Sequence, residues 1–371
     1  MRFLPKITIY DRYIFKQVFI ATFIAILLFT VVWIAPEMLL NTIKRALAGD
    51  YTLKMAGIVI LCELPLIFSK AFPVGLLLGA LFTFDKLSKD SELTIFRAVG
   101  MSFKRMLAPV LVLSFIVTGM CFYTCDKLMP KAEAVKIFVK DKHPTTQYIY
   151  TQKDENNAPT LAVVVSGFRD KVMYDVIVLD FSKKIYSDVH QLSNIYSAET
   201  GRFMGDHWEL NNIKQYNISR EGIFTSIEHV DKMDILKGES AQNAYTLMTY
   251  SVKREREITN SGLKKYIQLL KKEGLDEEYN YMLNKYFQRF FHPFVCILLA
   301  IMGMLLGFSK PREQKLIGFT IAIGSIFVYY ITLPFFDMLA EKGIVHPFIT
   351  AIFPVIAFLV CLIAFYKSKD L

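Results

Sequence analysis

The residues best placed to do chemistry are charged side chains that interrupt long apolar runs. Glu63 and Lys70 lie inside the second such run, between residues 56 and 84. Ionisable groups within a membrane span mark proton or ion paths. Alternatively, Pro65 breaks the helix there and places both side chains in a wet, interfacial region. The sequence leaves both interpretations open.

No familiar catalytic motif accompanies these charges. The six histidines are scattered and form no HExxH motif. Ser166-Gly167 lacks the pattern of a nucleophile elbow, and no Gly-rich phosphate loop is found in the sequence. Cys121 and Cys125 share a helix face, but without His or carboxylate partners we interpret them as small apolar side chains. We therefore expect a protein that is not an enzyme and binds no cofactor or metal.

A more specific pattern lies in the connector Lys86–Ser102, directly after the second apolar run. Its apolar residues fall near helical spacing, which predicts an amphipathic helix. Asp90-Ser91 suits the start of this helix and Gly100 suits its end. Such a helix can lie in a groove on a cytoplasmic partner and relay the partner's movement to a helix bundle. The alternative is a surface helix among lipid headgroups.

Two GxxxG motifs lie in apolar runs, Gly75 with Gly79 and Gly303 with Gly307. Small residues at this spacing let two helix backbones approach closely in lipid. The pattern also arises by chance in apolar sequence. We interpret the motifs as helix-packing sites, either within this chain or against a partner.

Six apolar runs of membrane-spanning length must position these residues. They are Phe15–Pro36, Ala56–Phe84, Met106–Cys125, Phe290–Phe308, Leu316–Phe336 and Phe348–Tyr366. Between the third and fourth runs, short stretches rich in β-branched and aromatic residues predict strands of an antiparallel sandwich, jelly roll or open barrel. These stretches are Gln147–Tyr150, Thr160–Val165, Met173–Leu179, Ile185–Val189, Trp208–Ile218 and Phe224–Val230.

The fold predicted from these elements is a membrane α-helical bundle of six transmembrane helices with an inserted all-β domain that is jelly-roll-like. We place helices 1–3 in residues 1–126, with a coupling helix at about 86–102. The β domain takes residues 127–258 and a helical linker takes 259–289. Helices 4–6 occupy residues 290–371.

The charge distribution predicts the orientation. The net charge of +9 comes mainly from short connectors, whereas residues 127–239 contain 15 basic and 16 acidic residues, which gives no reason to expect nucleic-acid binding. Alternate threading of the helices places these connectors on one side, which the positive-inside rule makes cytoplasmic. Both termini are then cytoplasmic and the β domain lies outside the cytoplasm.

The sequence resembles the LptF/LptG permease family, the membrane half of the lipopolysaccharide-exporting ABC transporter. The resemblance runs in order along the whole chain, and its most specific part is Ser91-Glu92. It is carried by Arg12-Tyr13-Ile14, Leu64-Pro65, Phe72-Pro73, Gly79, Lys86–Ser102 and the helix segment Tyr266–Gly274. Gly49-Asp50 and Lys86–Ser102 are more similar to the LptF half.

The resemblance implies an inner-membrane subunit with several partners. These are a second permease of the same family, a cytoplasmic ATPase dimer, periplasmic bridge proteins, and lipopolysaccharide or lipo-oligosaccharide as substrate. It also implies a periplasmic location for the β domain. The implied ATPase-coupling residues are Ser91, Glu92, Leu93 and Arg97. Lys44 and Arg45 are the implied contacts for lipid headgroups.

Two other functions are compatible with this organisation. One is a different ABC-type permease for lipoproteins or amphiphiles, although such modules usually have four helices. The other is an envelope scaffold whose β domain binds partners without transport. A scaffold would need no ATPase and would tolerate substitution of Glu92.

Overall fold

The computed structural model describes residues 8–34, 39–49, 52–140, 148–153, 158–169, 171–181, 183–186, 189–219, 221–251, 253–308 and 316–368. The α-helices within these ranges are α1 (Ile9–Ile34), α2 (Leu40–Leu47), α3 (Leu53–Lys89), α4 (Glu92–Ala98), α5 (Phe103–Tyr123), α6 (Met129–Lys140), α7 (Glu239–Ser251), α8 (Asn260–Lys272), α9 (Asp276–Gly307), α10 (Leu316–Glu341) and α11 (Pro347–Ser368). A π-helical turn, Thr124–Leu128, joins α5 to α6.

Six of the described helices are long and apolar enough to cross a membrane, which confirms the six predicted spans. They are α1, α3, the continuous helix of α5 and α6, α9, α10 and α11. The longest, α3, has 37 residues, or about 55 Å of helix. Proline in this run predicts either a kink or a break of the helix; Pro65 lies inside α3 without interrupting it, so the break is wrong and the kink stays a prediction.

Two apolar cores form on different faces of α3. Leu76 contributes to a core shared with α1, α4, α5 and α9, which also buries Ile14 and Leu93. The next residue, Leu77, contributes to a second core shared with α9, α10 and α11. Because α3 and α9 supply side chains to both cores, the other spanning helices are placed relative to this central pair.

The middle of the chain forms an antiparallel sheet. Its strands are β1 (Tyr148–Lys153), β2 (Pro159–Arg169), β3 (Val172–Asp180), β4 (Lys183–Tyr186), β5 (Val189–Gln191), β6 (Asn194–Phe203), β7 (His207–Ile218) and β8 (Phe224–Lys237). Six of them pair in the order β1-β2-β3-β6-β7-β8, and β4 pairs with β5 in a separate hairpin. The predicted fold class, a helical bundle with an inserted β domain, is confirmed.

Helix α7 covers one face of the sheet through aromatic side chains. Trp208 is fully buried and its indole N–H donates to the carbonyl of Ala241 at 3.2 Å. The rings of Phe203 and Tyr245 stack with centroids 4.5 Å apart. These contacts give the β domain a hydrophobic core of its own.

The chain divides into two compact units. We call the first the membrane unit; it contains Met1–Val139, Glu255–Ile267 and Gly274–Leu371. The second, the β unit, contains Lys140–Arg254 and Gln268–Glu273.

Candidate functional site

The connector between α3 and α5 contains α4, the helix expected to couple to a partner. The predicted helix at about 86–102 is shorter in the structure, because residues 86–89 still belong to α3. Ser91 adopts φ 61°, a left-handed conformation that separates the end of α3 from Glu92, the first residue of α4. Gly100, with φ 82°, follows the end of the helix.

The predicted coupling residues of α4 point in different directions. Leu93 is buried in the apolar core, so it anchors the helix to the bundle. The Glu92 carboxylate accepts a hydrogen bond from the hydroxyl of Tyr13 in α1, at 2.8 Å. Arg97 is exposed, and its guanidinium lies 5.3 Å from the centroid of the Phe308 ring.

Helix α4 has an exposed apolar face that the helical spacing predicts only in part, since this spacing includes Val99 but not Ile95. Ile95 is 60% exposed and Val99, four residues later at the helix end, is 75% exposed. Residues at this spacing lie on one side of a helix. The signal was present, because two bulky apolar residues in a polar connector need either lipid or a partner to cover them.

Both GxxxG motifs lie where helices of the membrane unit pack closely. A Cβ atom added to Gly75 would be 2.3 Å from Ile26 Cγ1, and one added to Gly79 would be 2.2 Å from Thr22 Oγ1. These contacts bring α1 against α3. Gly303 and Gly307 of α9 approach the backbone carbonyls of α3 on its other side.

Glu63 belongs to a cluster of charged side chains. It forms an ion pair with Lys136 of α6, whose ammonium also lies 3.1 Å from Glu133. Glu133 in turn lies 3.4 Å from the guanidinium of Arg256. Alternating charges of this kind tie α3 to α6 and to the segment before α8, which favours a structural role for Glu63.

Lys70 lines a cavity of about 300 Å³ within the membrane unit. His292 also lines it, and its Nδ1 lies 2.6 Å from the hydroxyl of Tyr329. Asp337 closes another part of the wall, where Lys285 forms an ion pair with it at 2.5 Å. Polar groups from α3, α9 and α10 thus line the cavity, and those of α9 are bonded to those of α10.

The predicted lipid-headgroup residues lie on a separate helix of the membrane unit. Lys44 and Arg45 are exposed in the last turn of α2, where basic side chains also stabilise the helix C-terminus. A nearby pair of exposed cations is suited to contact phosphate groups. The structure does not bring them to the coupling residues of α4.

The sheet of the β unit has one covered face and one open face. Tyr150 and Val163 pair across β1 and β2 on the covered face, where burial raises the pKa of Tyr150 to about 12. On the open face Ile149, Val164 and Ile177 form a row across three strands. Ile149 and Ile177 are exposed, so this face offers an apolar stripe.

The described residues contain no group of three or more His, Cys, Asp and Glu side chains placed to hold a metal ion. Cys121 is buried in the core shared by α1, α3, α4, α5 and α9, and Cys125 packs against that core. Both cysteines therefore act as apolar side chains in the packing of the bundle.

Comparison with known proteins identifies the family. A family described as "Lipopolysaccharide export system permease LptF/LptG" matches residues 12–368. The chain belongs to the LptF/LptG family. Together with the six spans, this makes it a multi-pass inner-membrane permease subunit.

Curated relatives agree with the family. The lipopolysaccharide export system permease protein LptG of Escherichia coli strain K12 is 23% identical over 362 residues, which cover 94% of this chain and 95% of the relative. The same protein of Escherichia coli O6:H1 strain CFT073 matches with the same values. Both relatives are LptG, whereas the family includes both halves, so the greater similarity to LptF stays a prediction.

Proposed function

We propose that this LptF/LptG permease is one half of an ABC-type exporter that extracts lipopolysaccharide or lipo-oligosaccharide from the inner membrane and passes it to a periplasmic bridge. The family match over residues 12–368 is the observation that carries this proposal. The sequence contains no nucleotide-binding motif, so a separate cytoplasmic ATPase dimer supplies the energy.

The ATPase docks on α4. The exposed side chains Ile95 and Val99 fill an apolar groove on the ATPase, because burying them removes apolar surface from water. Glu92 and Arg97 at the edges of this face set the register through charge. Ser91 and Leu93 act indirectly: the first sets the turn before α4 and the second anchors the helix in the core.

The lipid is held and guided at two places. Lys44 and Arg45 on α2 contact the headgroup phosphates, since both are exposed cations beside a membrane span. The β domain lies in the periplasm and passes acyl chains along its apolar stripe, which includes Ile149 and Ile177. Bridge proteins with similar β domains receive the lipid there.

A second permease of the same family completes the complex. Apolar side chains such as Phe327 and Ile331 of α10 are exposed, and so are Phe23 and Leu28 of α1. Helices with such faces are suited to line a lipid path shared with a partner permease. Both termini and α4 then lie on the cytoplasmic side, as the basic connectors predict.

Purification from native membranes in mild detergent tests this proposal. We expect the tagged wild-type chain to carry with it a second permease of similar size and a cytoplasmic ATPase. Glu92→Lys should lose the ATPase and keep the second permease, because it reverses a charge on the docking face and leaves the exposed apolar side chains of α1 and α10 unchanged. Glu221→Lys, an exposed position in the β unit, is the matched charge-reversal control and should keep both partners. A wild-type chain that emerges without an ATPase contradicts the proposal.

A further inference from the structure

The start of α1 is bonded directly to the coupling helix. The hydroxyl of Tyr13 lies 2.8 Å from Glu92 Oε2 and 3.0 Å from Oε1, although 79 positions separate the two residues. A phenol has a single proton and donates to one oxygen at a time, whereas an ionised carboxylate accepts about four hydrogen bonds. Glu92 can therefore hold Tyr13 and still accept a hydrogen bond or ion pair from another protein.

Two further contacts flank this hydrogen bond. The rings of Tyr10 and Phe96 meet edge to face with centroids 4.8 Å apart, one helical turn before Tyr13. Arg105, at the start of α5, forms an ion pair with Asp11 at 2.6 Å. A hydrogen bond and an aromatic pair thus fix the first two turns of α1 to α4, and an ion pair fixes them to the start of α5.

Beyond these first turns, α1 packs against α3 in the helix bundle. The helix has 26 residues, or about 39 Å of length. It crosses α3 where Gly75 and Gly79 allow the backbones to approach closely at Thr22 and Ile26. A displacement of the first turns of α1 is therefore transmitted along a stiff helix to a tightly packed crossing point.

We propose that Tyr13 is a positioning residue that makes α4 and α1 move together. This inference rests on the proposed docking of an ATPase on α4. When the ATPase displaces α4, the Tyr13–Glu92 hydrogen bond carries the displacement into α1, and α1 shifts relative to α10. The tyrosine of the segment Arg12-Tyr13-Ile14 thus connects the docking helix α4 to the membrane-spanning helix α1.

Two substitutions separate this role from ATPase docking. Tyr13→Phe removes the hydroxyl but keeps the ring and the charge of Glu92. Glu92→Gln removes the charge that the ATPase recognises but keeps an oxygen that can accept from Tyr13. We therefore expect Tyr13→Phe to keep the ATPase bound and lose the movement of α1. Glu92→Gln should weaken ATPase binding.

The movement is measured on the complex purified with its ATPase and reconstituted with lipopolysaccharide in lipid nanodiscs. Spin labels on cysteines introduced at the exposed positions Leu28 of α1 and Ile331 of α10 report the distance between the two helices. The exposed Cys361 and the partly exposed Cys62 and Cys125 are replaced by serine so that they take no label. Distances are recorded before and after ATP is trapped with vanadate, together with the rate of ATP hydrolysis.

In the wild-type complex we expect a distance change on trapping. Tyr13→Phe should reduce the fraction of molecules that show it by about tenfold, since a hydrogen bond to a charged group contributes roughly one decade or more to an equilibrium. ATP hydrolysis should persist in this variant. Tyr366→Phe, at a tyrosine whose ring contacts Phe103, is the control and should behave as the wild type.

Three results would overturn the inference. The first is an unchanged distance change in Tyr13→Phe, and the second is a wild-type complex in which α1 does not move. The third is loss of the ATPase from Tyr13→Phe, which would make the hydroxyl part of the docking surface. Absence of any ATPase from the wild-type complex is a separate result. It would contradict the proposed function itself, and the inference about Tyr13 would then fail with it.

Discussion

Gly303 of α9 lies directly against the carbonyl of Leu77 in α3, and a Cβ atom on Gly303 would be 2.2 Å from that oxygen. We predict that Gly303→Ala separates the two central helices and destabilises the bundle by about 1–3 kcal/mol, the usual cost of overpacking a core. Unfolding in detergent by increasing dodecyl sulfate measures this effect.

The matched control for Gly303 is Gly119→Ala in α5, where an added Cβ atom would have no neighbour within 4 Å. Alanine is a better helix former than glycine by about 1 kcal/mol, so this variant should be as stable as the wild type or slightly more stable. Equal destabilisation of both variants would show that close packing at Gly303 has no special importance.

The two glycines of α3 should differ in whether a second substitution rescues them. The nearest atom to a Cβ on Gly75 is a side-chain carbon of Ile26, so Ile26→Ala should restore much of the stability that Gly75→Ala loses. A Cβ on Gly79 would lie 2.6 Å from the backbone N and Cα of Thr22, so Thr22→Ala should not rescue Gly79→Ala. Thermal unfolding of the two glycine variants and of the two double variants measures the rescue. Equal rescue at Gly75 and Gly79 would contradict the described packing of α1 against α3.

Lys136 should be needed for stability. Its ammonium, with a side chain 10% exposed, lies between the carboxylates of Glu63 and Glu133. Lys136→Met leaves the buried carboxylate of Glu133 and the half-buried one of Glu63 without their shared cation, which should cost about 3 kcal/mol. Lys127→Met removes an ion pair whose lysine is 55% exposed and should cost at most about 1 kcal/mol. Similar unfolding curves for the two variants would argue against a structural role for Glu63.

The exposed apolar face of α4 should determine ATPase binding. Ile95→Asp or Val99→Asp places a charge where we propose an apolar groove, so the ATPase should dissociate during purification. Folding should be unaffected because both side chains are already exposed. Ile344→Asp, 66% exposed in the turn between α10 and α11, is the control and should retain the ATPase. Retention by both α4 variants would place the docking surface elsewhere.

Lys44 and Arg45 should affect lipid binding and leave ATPase binding unchanged. The double variant Lys44→Gln/Arg45→Gln should bind lipopolysaccharide several-fold more weakly, since charge-assisted hydrogen bonds to phosphate are about twice as strong as neutral ones. Photo-crosslinking of lipopolysaccharide to the purified complex measures this. Lys342→Gln, an exposed lysine after α10, serves as the control. Equal crosslinking in all three proteins would remove α2 from the lipid path.

The sequence predicts the six spans because the length of an apolar run is a direct physical requirement of the bilayer. It does not predict β6, since Asn194–Phe203 is too polar and alternates too weakly to indicate a strand. Gly201, a residue type that usually weakens a strand, lies inside β6. There, glycine makes room for the side chains of Leu210 and Met173, which would lie 2.7 and 3.0 Å from a Cβ atom.

Local sequence patterns do not predict two features of the candidate site. The hydrogen bond between Tyr13 and Glu92 joins residues of two helices, and no spacing rule relates them. Similarly, the sequence shows Glu63 only as an isolated charge in an apolar run, whereas in the fold α6 places Lys136 beside it. By contrast, Ser91 and Gly100 predict the start and the end of α4 from the sequence. Serine is common just before a helix and glycine just after one, and both residues have positive φ here.

The most direct test of the central claim is to deplete the chain in its native bacterium and follow newly made lipopolysaccharide by pulse labelling and membrane fractionation. We predict that the label accumulates in the inner membrane and fails to reach the outer membrane. The wild-type gene should restore export, whereas Glu92→Lys should not. Arrival of labelled lipopolysaccharide in the outer membrane at the normal rate after depletion would contradict a role in its export.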